Sequence, residues 1–247
     1  MPRFFTDSPA DDIITVRGSD ASHISLSLRM KPGEKITFCH SGMDYNCAID
    51  NITAEEVSCR VESISPAVSE PTVQLTIYQA YPKQDKLEHI IQKTTELGAV
   101  RIVPFISSRC VARPDKASFE KKLPRLKKIA EEAAKQSGRG MIPEVAQLMT
   151  FSEAVEDLKK NDLSLICYEN GGEKLSTVSF PEGGGNAGKG KGSIGVMIGS
   201  EGGFERSEAD AAVNAGAVSI WLGERILRCE TCPVAVTAII MNLTGNM

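Results

Sequence analysis

The sequence predicts an α/β protein with a mostly parallel sheet, preceded by a small β-rich domain. Three observations carry that reading. From Thr72 onward, short apolar runs alternate with amphipathic helical patterns, as in successive βαβ units. Near the C-terminus, two of these runs end in Gly-bearing loops, the place where open parallel sheets bind ligands. Residues 1–69 instead hold short β-branched and aromatic runs separated by turn residues. The expected division is therefore a β domain over 1–69 and an α/β domain over 72–247.

In the first domain the expected strands are Lys35–Cys39, Asp44–Asp50 and Val57–Ser63, separated by His40-Ser41-Gly42 and Asp50-Asn51. Ser22–Met30 is expected to form a short helix stopped by Pro32-Gly33. Ser65–Pro71, with prolines near both ends, reads as a linker. The second domain opens with a strand over Thr72–Tyr78. After Lys83-Gln84-Asp85-Lys86, Leu87, Ile90, Ile91, Thr94 and Leu97 mark one buried helix face that Gly98 ends. Val100–Ile106 is the next strand. A long helix from about Ala117 to Ser137 puts Phe119, Leu123, Leu126, Ala130 and Ala133 toward a core and its lysines toward solvent. Phe151–Lys160 reads as a helix and Leu163–Tyr168 as a strand.

The rest of the chain is organised around Ser193–Thr244. Ser193–Ile198 is an apolar strand ending in Gly199-Ser200-Glu201-Gly202-Gly203. A helix starts near Glu205, where Glu205 and Glu208 have capping-box spacing, and Gly216 ends it. Ala209, Ala212 and Val213 form its apolar face. Val218–Leu222 is a second strand, Gly223–Glu230 a second loop, and Thr231 and Pro233 open a last helix through Leu243. Glu201, Arg225, Arg228 and Glu230 all fall in these two loops, so four charges are expected at one pocket mouth.

Composition narrows the class. The chain of 247 residues is 41% hydrophobic and 24% charged, and no apolar run approaches the ~20 residues of a membrane helix. The N-terminus lacks the apolar core of a signal peptide, and seven scattered cysteines suit reduced buried thiols, so a cytoplasmic protein is expected. Net charge is −4, yet Arg109–Arg139 holds ten basic and four acidic residues, a local +6 that leaves −10 for the remainder. A basic segment on an acidic chain suits a phosphate-binding surface or a solvated helix face.

Other signals carry less chemistry. Gly183, Gly185 and Gly188 give a G-x-G-x-x-G spacing, and Lys189 follows, but no strand precedes, no helix follows, and Gly190 replaces the Ser/Thr that would hold magnesium. Cys229-x-x-Cys232 lacks a second pair at metal spacing, so no metal is expected. His23, His40 and His89 are scattered, and no hydrolase pattern appears.

Ile198–Phe204 followed by Leu222–Thr231 closely resembles the 16S ribosomal RNA (uracil-N3) methyltransferase family of the SPOUT, or trefoil-knot, methyltransferases. The resemblance spans the chain: Arg3-Phe4-Phe5, His23, Leu28-Arg29, Lys31-Pro32-Gly33-Glu34, Lys93 with Glu96-Leu97-Gly98, and Ala133 through Gln136-Ser137 to Arg139 also match. It implies a PUA-like β-barrel followed by a knotted α/β domain, a homodimer, and S-adenosylmethionine held in the knot. Ser200 stands where the family usually has Pro, and Cys232 where it has Ala or Gly.

By the same resemblance, Tyr168, Glu169, Ile198, Gly199, Glu201, Gly202, Gly203, Leu222, Gly223, Ile226, Leu227, Arg228 and Thr231 would hold the donor. Uracil N3 carries a proton with a pKa well above neutrality, so a cation near O2 or O4 would favour the anion. Arg228 is the expected cation with Arg225 second, and Glu201 or Glu230 would orient the arginine or take the proton. Arg3, Arg29, Arg109, Arg113, Lys121, Lys122, Arg125, Lys128 and Arg139 would engage RNA phosphates of the small ribosomal subunit. The competing readings are a non-catalytic knotted RNA-binding or ribosome-assembly protein, and a SPOUT enzyme acting on tRNA or a ribose 2′-hydroxyl. A dinucleotide oxidoreductase rests only on the misplaced glycines.

Overall fold

The structure, a computed structural model, describes residues 1–53, 55–181 and 192–247. The glycine spacing at Gly183, Gly185, Gly188 and Lys189 lies outside the described residues. The chain forms two compact units: Met1–Glu70 with Ala134–Ile142, and Pro71–Ala133 with Pro143–Met247.

The first unit contains strands β1 (Arg3–Phe5), β2 (Ile13–Arg17), β3 (Lys35–His40), β4 (Met43–Ile52) and β5 (Glu56–Pro66), in the order β1-β3-β4-β5-β2. Only β1 pairs parallel, with β3; the other pairs are antiparallel. Phe4, Ile14, Ile24, Ile36, Phe38, Ile49 and Val57 fill one core. Neither β1 nor β2 is among the expected strands. The β-branched run Ile13-Ile14-Thr15-Val16 is a local signal for β2, whereas β1 is only three residues long and takes its strand character from pairing with β3. The helix expected over Ser22–Met30 is displaced: α1 (Gly18–Ser22) continues into a π-helical turn over His23–Ser27. Gly18 starts it early by taking φ +67°.

The expected linker is not free. β5 runs to Pro66 against Met43, and the Ala67 amide donates to the Gly42 carbonyl at 2.8 Å. Glu70 then accepts from the Arg139 guanidinium (Nη2, 2.8 Å) and from the Gly140 and Met141 amides at 2.9 and 3.1 Å. That cluster is why Ala134–Ile142 belongs to the first unit.

The second unit comprises β6 (Gln74–Ala80), α2 (Lys86–Glu96), β7 (Arg101–Ile106), α3 (Lys116–Ser137, which ends beyond the unit), β8 (Glu144–Val145), β9 (Met149–Thr150), α4 (Phe151–Leu158), β10 (Leu163–Cys167), β11 (Glu173–Lys174), β12 (Ser193–Ile198), α5 (Arg206–Asn214), β13 (Val218–Trp221) and α6 (Thr231–Leu243). The sheet order is β11-β13-β10-β12-β6-β7-β8, with β9 also on β7, and every pair is parallel. The expected parallel sheet is thus present. β6 and β12 are buried on both faces, with β12 nearly all apolar and β6 carrying the buried polar residues Thr76 and Gln79 among its apolar ones. Leu75, Ile77, Val196, Ile220, Val236 and Ile240 fill one face; Tyr78, Val103, Phe105, Phe119, Leu126 and Phe204 fill the other.

Phe119, Leu123, Leu126, Ala130 and Ala133 of α3 are all buried, as their spacing predicts. Val213 is a correction. Expected on the core face of α5, it is 43% exposed, because Glu208, Ala209 and Ala212 occupy the inward arc. No helix among the described residues is long and apolar enough to cross a membrane.

One buried ionic node ties β6, β7 and α4 together. Asp157 accepts from the Tyr78 hydroxyl (3.0 Å), from Lys160 (2.9 Å) and from the Arg101 guanidinium. Burial opposes its ionisation, but these donors outweigh burial and hold its carboxyl below the usual range. A depressed folded-state pKa stabilises above the unfolded value and loses that effect as pH falls through the folded one. Asp157→Asn is therefore expected to destabilise the protein by about 1.5–3 kcal/mol at pH 7. In urea titrations across pH, the difference from wild type is expected to begin shrinking below about pH 4 and to be lost only as pH falls through the lower pKa of the folded state.

Candidate active site

The two glycine-bearing loops do converge. β10, β12 and β13 are adjacent, and the segments leaving their C-terminal ends line one cavity of about 670 Å³. After β10 come Tyr168 and Glu169; after β12, Gly199–Phe204; after β13, Leu222–Glu230. The chain passes from β12 over β10 to β13, and α6 then returns to pack against β6 and α2. This path brings segments distant in sequence to one wall.

Close approach explains the glycines of the first loop. A Cβ on Gly199 would lie 3.0 Å from the Gly203 backbone, and one on Gly202 would lie 2.9 Å from Arg109 Cβ. Gly203 takes φ +65° with Glu169 Oε1 only 2.6 Å from where its Cβ would stand. The Gly203 amide donates to the Ser200 carbonyl at 3.0 Å, closing the turn. Ser200 is buried, and its hydroxyl donates to the Arg109 carbonyl at 3.3 Å. Gln79 Nε2 holds the Gly199 carbonyl at 3.1 Å. Behind the loop, Glu208 accepts from the Glu205 amide (3.0 Å), the Ser108 amide (2.7 Å) and the Ser108 hydroxyl (2.8 Å). The capping-box spacing therefore also ties the loop before α3 to α5.

The charged residues arrange differently from expectation. Glu201 and Glu230 hold neither arginine. Both engage Lys86, the first residue of α2: its Nζ lies 3.0 Å from Glu201 Oε1 and 3.1 Å from Glu230 Oε2. Burial pushes both carboxyls up, but backbone amides and Lys86 outweigh it and hold both below the usual range. They are accordingly poor proton acceptors. Arg225 and Arg228 line the cavity, are exposed, and have no side-chain partner among the described residues. Lys86 was not singled out from sequence, where it is merely a basic residue opening a helix.

Of the residues assigned to the donor by resemblance, Tyr168, Glu169, Ile198, Gly199, Glu201, Gly202, Gly203, Leu222, Gly223, Ile226, Leu227 and Arg228 all line the cavity. Thr231 does not; its amide donates to the Arg228 carbonyl at 2.9 Å in the first turn of α6. The Cys229-x-x-Cys232 pair points two ways. Cys229 donates to Glu230 at 3.2 Å, and burial first, then that contact, pushes its thiol up to about 12. Cys232 instead faces Cys167, whose thiol is pushed up by that hydrogen bond and by burial. Among the described residues no group of His, Cys, Asp and Glu is placed to hold a metal ion.

The basic segment is largely neutralised. Arg109 pairs with Glu205 (2.9 Å), Lys116 with Glu153 (2.9 Å), Arg125 with Glu88 (2.8 Å) and Lys128 with Glu132 (3.0 Å). Arg113 caps the Cys110, Ser107 and Ser108 carbonyls. In the first unit, Arg3 bonds Asp44 (2.7 Å), Lys135 bonds Asp20 (3.4 Å), and the Arg139 side chain is only 3% exposed against Glu70. Arg139 is therefore a structural ion pair rather than a phosphate contact. Lys121 and Lys127 are exposed with no ion pair among the described residues, Lys122 reaches only the Tyr81 hydroxyl at 3.5 Å, and Arg29 is exposed.

Comparison with known proteins decides the family. An RNA methyltransferase domain model matches residues 69–241. The chain belongs to this RNA methyltransferase family. It is 32% identical to the Bacillus subtilis ribosomal RNA small subunit methyltransferase E, covering 97% of this chain and 96% of that protein. Among solved structures, the Neisseria gonorrhoeae ribosomal RNA small subunit methyltransferase E bound to S-adenosylmethionine superposes with TM-score 0.86 at 29% identity, over 98% of each chain. A putative Legionella pneumophila methyltransferase with bound S-adenosylmethionine gives 0.83 at 25% identity, over 97% of this chain and 96% of that one. The fold of this family, the SPOUT α/β fold, is the one described above.

Proposed function

We propose that the chain transfers the methyl group of S-adenosylmethionine to N3 of a uridine in 16S ribosomal RNA. The observation that carries this reading is the convergence of Glu169, Gly199–Gly203 and Leu222–Arg228 on one cavity in a chain of the RNA methyltransferase family. The cavity suits the donor. Its volume of about 670 Å³ falls in the range of small-molecule sites. Its glycines leave room for close backbone approach, and Glu169, Glu201 and Glu230 offer carboxylates to a cationic ligand.

Bound there, S-adenosylmethionine supplies an electrophilic methyl group on a sulfonium. The chain's own part is positioning and charge. Arg228 lines the cavity with no side-chain partner among the described residues and is free to stabilise the uracil anion, with Arg225 on the same loop. Glu201 and Glu230, held ionised, shape the pocket rather than take the proton, which passes from N3 to solvent water at the open pocket mouth. The target base leaves any stack to reach the pocket.

The β domain expected over 1–69, to which the first unit adds Ala134–Ile142, is proposed as a PUA-like RNA-binding barrel, and the rest of the span 72–247 as the methyltransferase domain. A homodimer belongs to the same reading, supported by Ile239 and Leu243 of α6, which are 39% and 41% exposed. A ribosomal substrate supports a cytoplasmic location.

The experiment is methyl transfer from labelled S-adenosylmethionine to small subunits lacking the modification, followed by nucleoside mass spectrometry. N3-methyluridine is the expected product. A 2′-O-methyl nucleoside, or transfer only to tRNA, overturns the assignment; absent donor binding revives a non-catalytic role. RNA affinity is expected to fall with salt. Lys121→Ala and Lys122→Ala are each expected to reduce the slope of log K against log salt by about 0.7–1, read by fluorescence anisotropy.

A further inference from the structure

Three elements meet at Lys86. Its ammonium, at the start of α2, bonds Glu201 at 3.0 Å on the loop after β12 and Glu230 at 3.1 Å at the start of α6. Glu201 also accepts the Lys83 amide at 3.0 Å. Cys229 Sγ lies 3.8 Å from Lys86 Nζ and donates to Glu230 at 3.2 Å. All three charged side chains are about three-quarters buried, with 25%, 23% and 22% of their surface exposed. Lys86, Glu201 and Glu230 all line the cavity.

We propose that Lys86 is a positioning residue for the donor pocket: its ammonium bridges Glu201 and Glu230, one from each pocket loop, and so sets the shape and charge in which the pocket takes the donor. The inference takes its ligand from the methyltransferase reading. It follows from what the cluster becomes without the lysine. Two carboxylates that share one cation are left together in a site that is about three-quarters buried. Like charges sharing one site cannot both stay ionised at ordinary cost, so one carboxyl takes up a proton at a higher pH than it does beside Lys86. The hydrogen bonds to Lys86 in turn favour its charged form and push its pKa up, so the intact cluster stays ionised across the neutral range.

The test uses the full chain as wild type, Lys86→Met, Lys86→Arg and Lys86→Met/Glu230→Gln. Two quantities are read from pH 5.5 to 8.5: the dissociation constant for S-adenosylmethionine by calorimetry, and the glutamate carboxyl resonances of the donor-free protein by carbon NMR. For wild type, no glutamate of the cluster is expected to titrate in this range. For Lys86→Met, one glutamate carboxyl is expected to titrate near neutrality. Its donor affinity is expected to fall about tenfold or more above that pKa and to recover below it, since one pKa unit corresponds to a tenfold change. Lys86→Arg and the double variant are expected to remove the titration. Equal weakening at every pH with no new titration overturns the proposal, as does unchanged affinity throughout. If wild type fails to bind the donor, the functional reading falls, while the NMR titration of the donor-free protein still decides the role of Lys86.

Discussion

Replacing Arg228 by Ala is expected to lower methyl transfer by about 10²–10³-fold while leaving donor affinity largely intact. The reason is where charge develops. Removing the N3 proton leaves an anion shared with the flanking carbonyl oxygens, and a preorganised cation there is worth most in the transition state. Two other cavity residues that could have assisted are committed elsewhere: Glu201 and Glu230 are bridged by Lys86 and held below the usual carboxyl range, which makes them weak bases. Arg228 has no side-chain partner among the described residues, so its guanidinium is available to the substrate. Arg225→Ala is expected to cost less, and Arg228→Lys to retain part of the rate as a point charge without the planar fork. Single-turnover transfer with saturating donor measures the effect; unchanged turnover in Arg228→Ala would sink the assignment.

The largest expected stability effect lies in the first unit. Arg139→Met is expected to destabilise it by about 3–5 kcal/mol, because it strands the Glu70 carboxylate in a buried site. The two side chains are 3% and 7% exposed, and Glu70 also receives the Gly140 and Met141 amides at 2.9 and 3.1 Å. Hydrogen exchange at β3, β4 and β5 measures the loss within that unit. The double variant Arg139→Met/Glu70→Gln is expected to recover part of it, since no unpaired charge then remains buried. An effect below about 1 kcal/mol would mean that the pair is solvated after all.

Much of the fold is legible in the sequence because periodicity is a local signal. The 3.6-residue spacing of Phe119, Leu123, Leu126 and Ala130 marks the buried face of α3, and Ser193–Ile198 coincides with β12. β1 is hidden because three residues carry too little pattern and it becomes a strand only by pairing with β3, whereas β2 is marked locally by the β-branched run Ile13–Val16. The π-helical turn over His23–Ser27 has no compositional signature. At the site, the glycines of both loops and the order of strand, loop and helix point to one pocket before any coordinates, and the family resemblance supplies its ligand.

What the chain alone could not reveal is which charges meet. Glu201 and Glu230 are expected beside Arg225 and Arg228 when only their loops are considered, yet the return of α6 to α2 carries them to Lys86 instead. Likewise the +6 of Arg109–Arg139 reads as a basic surface until Glu205, Glu153, Glu88 and Glu70 are folded against it. Sequence determined the main helices and strands of the second unit and its pocket loops, since these depend on neighbours a few residues apart, and their alternation implied the parallel sheet. Tertiary structure decided the ion pairs and hence which cations remain free for chemistry, since a charge's partner is set by distance in space and by burial.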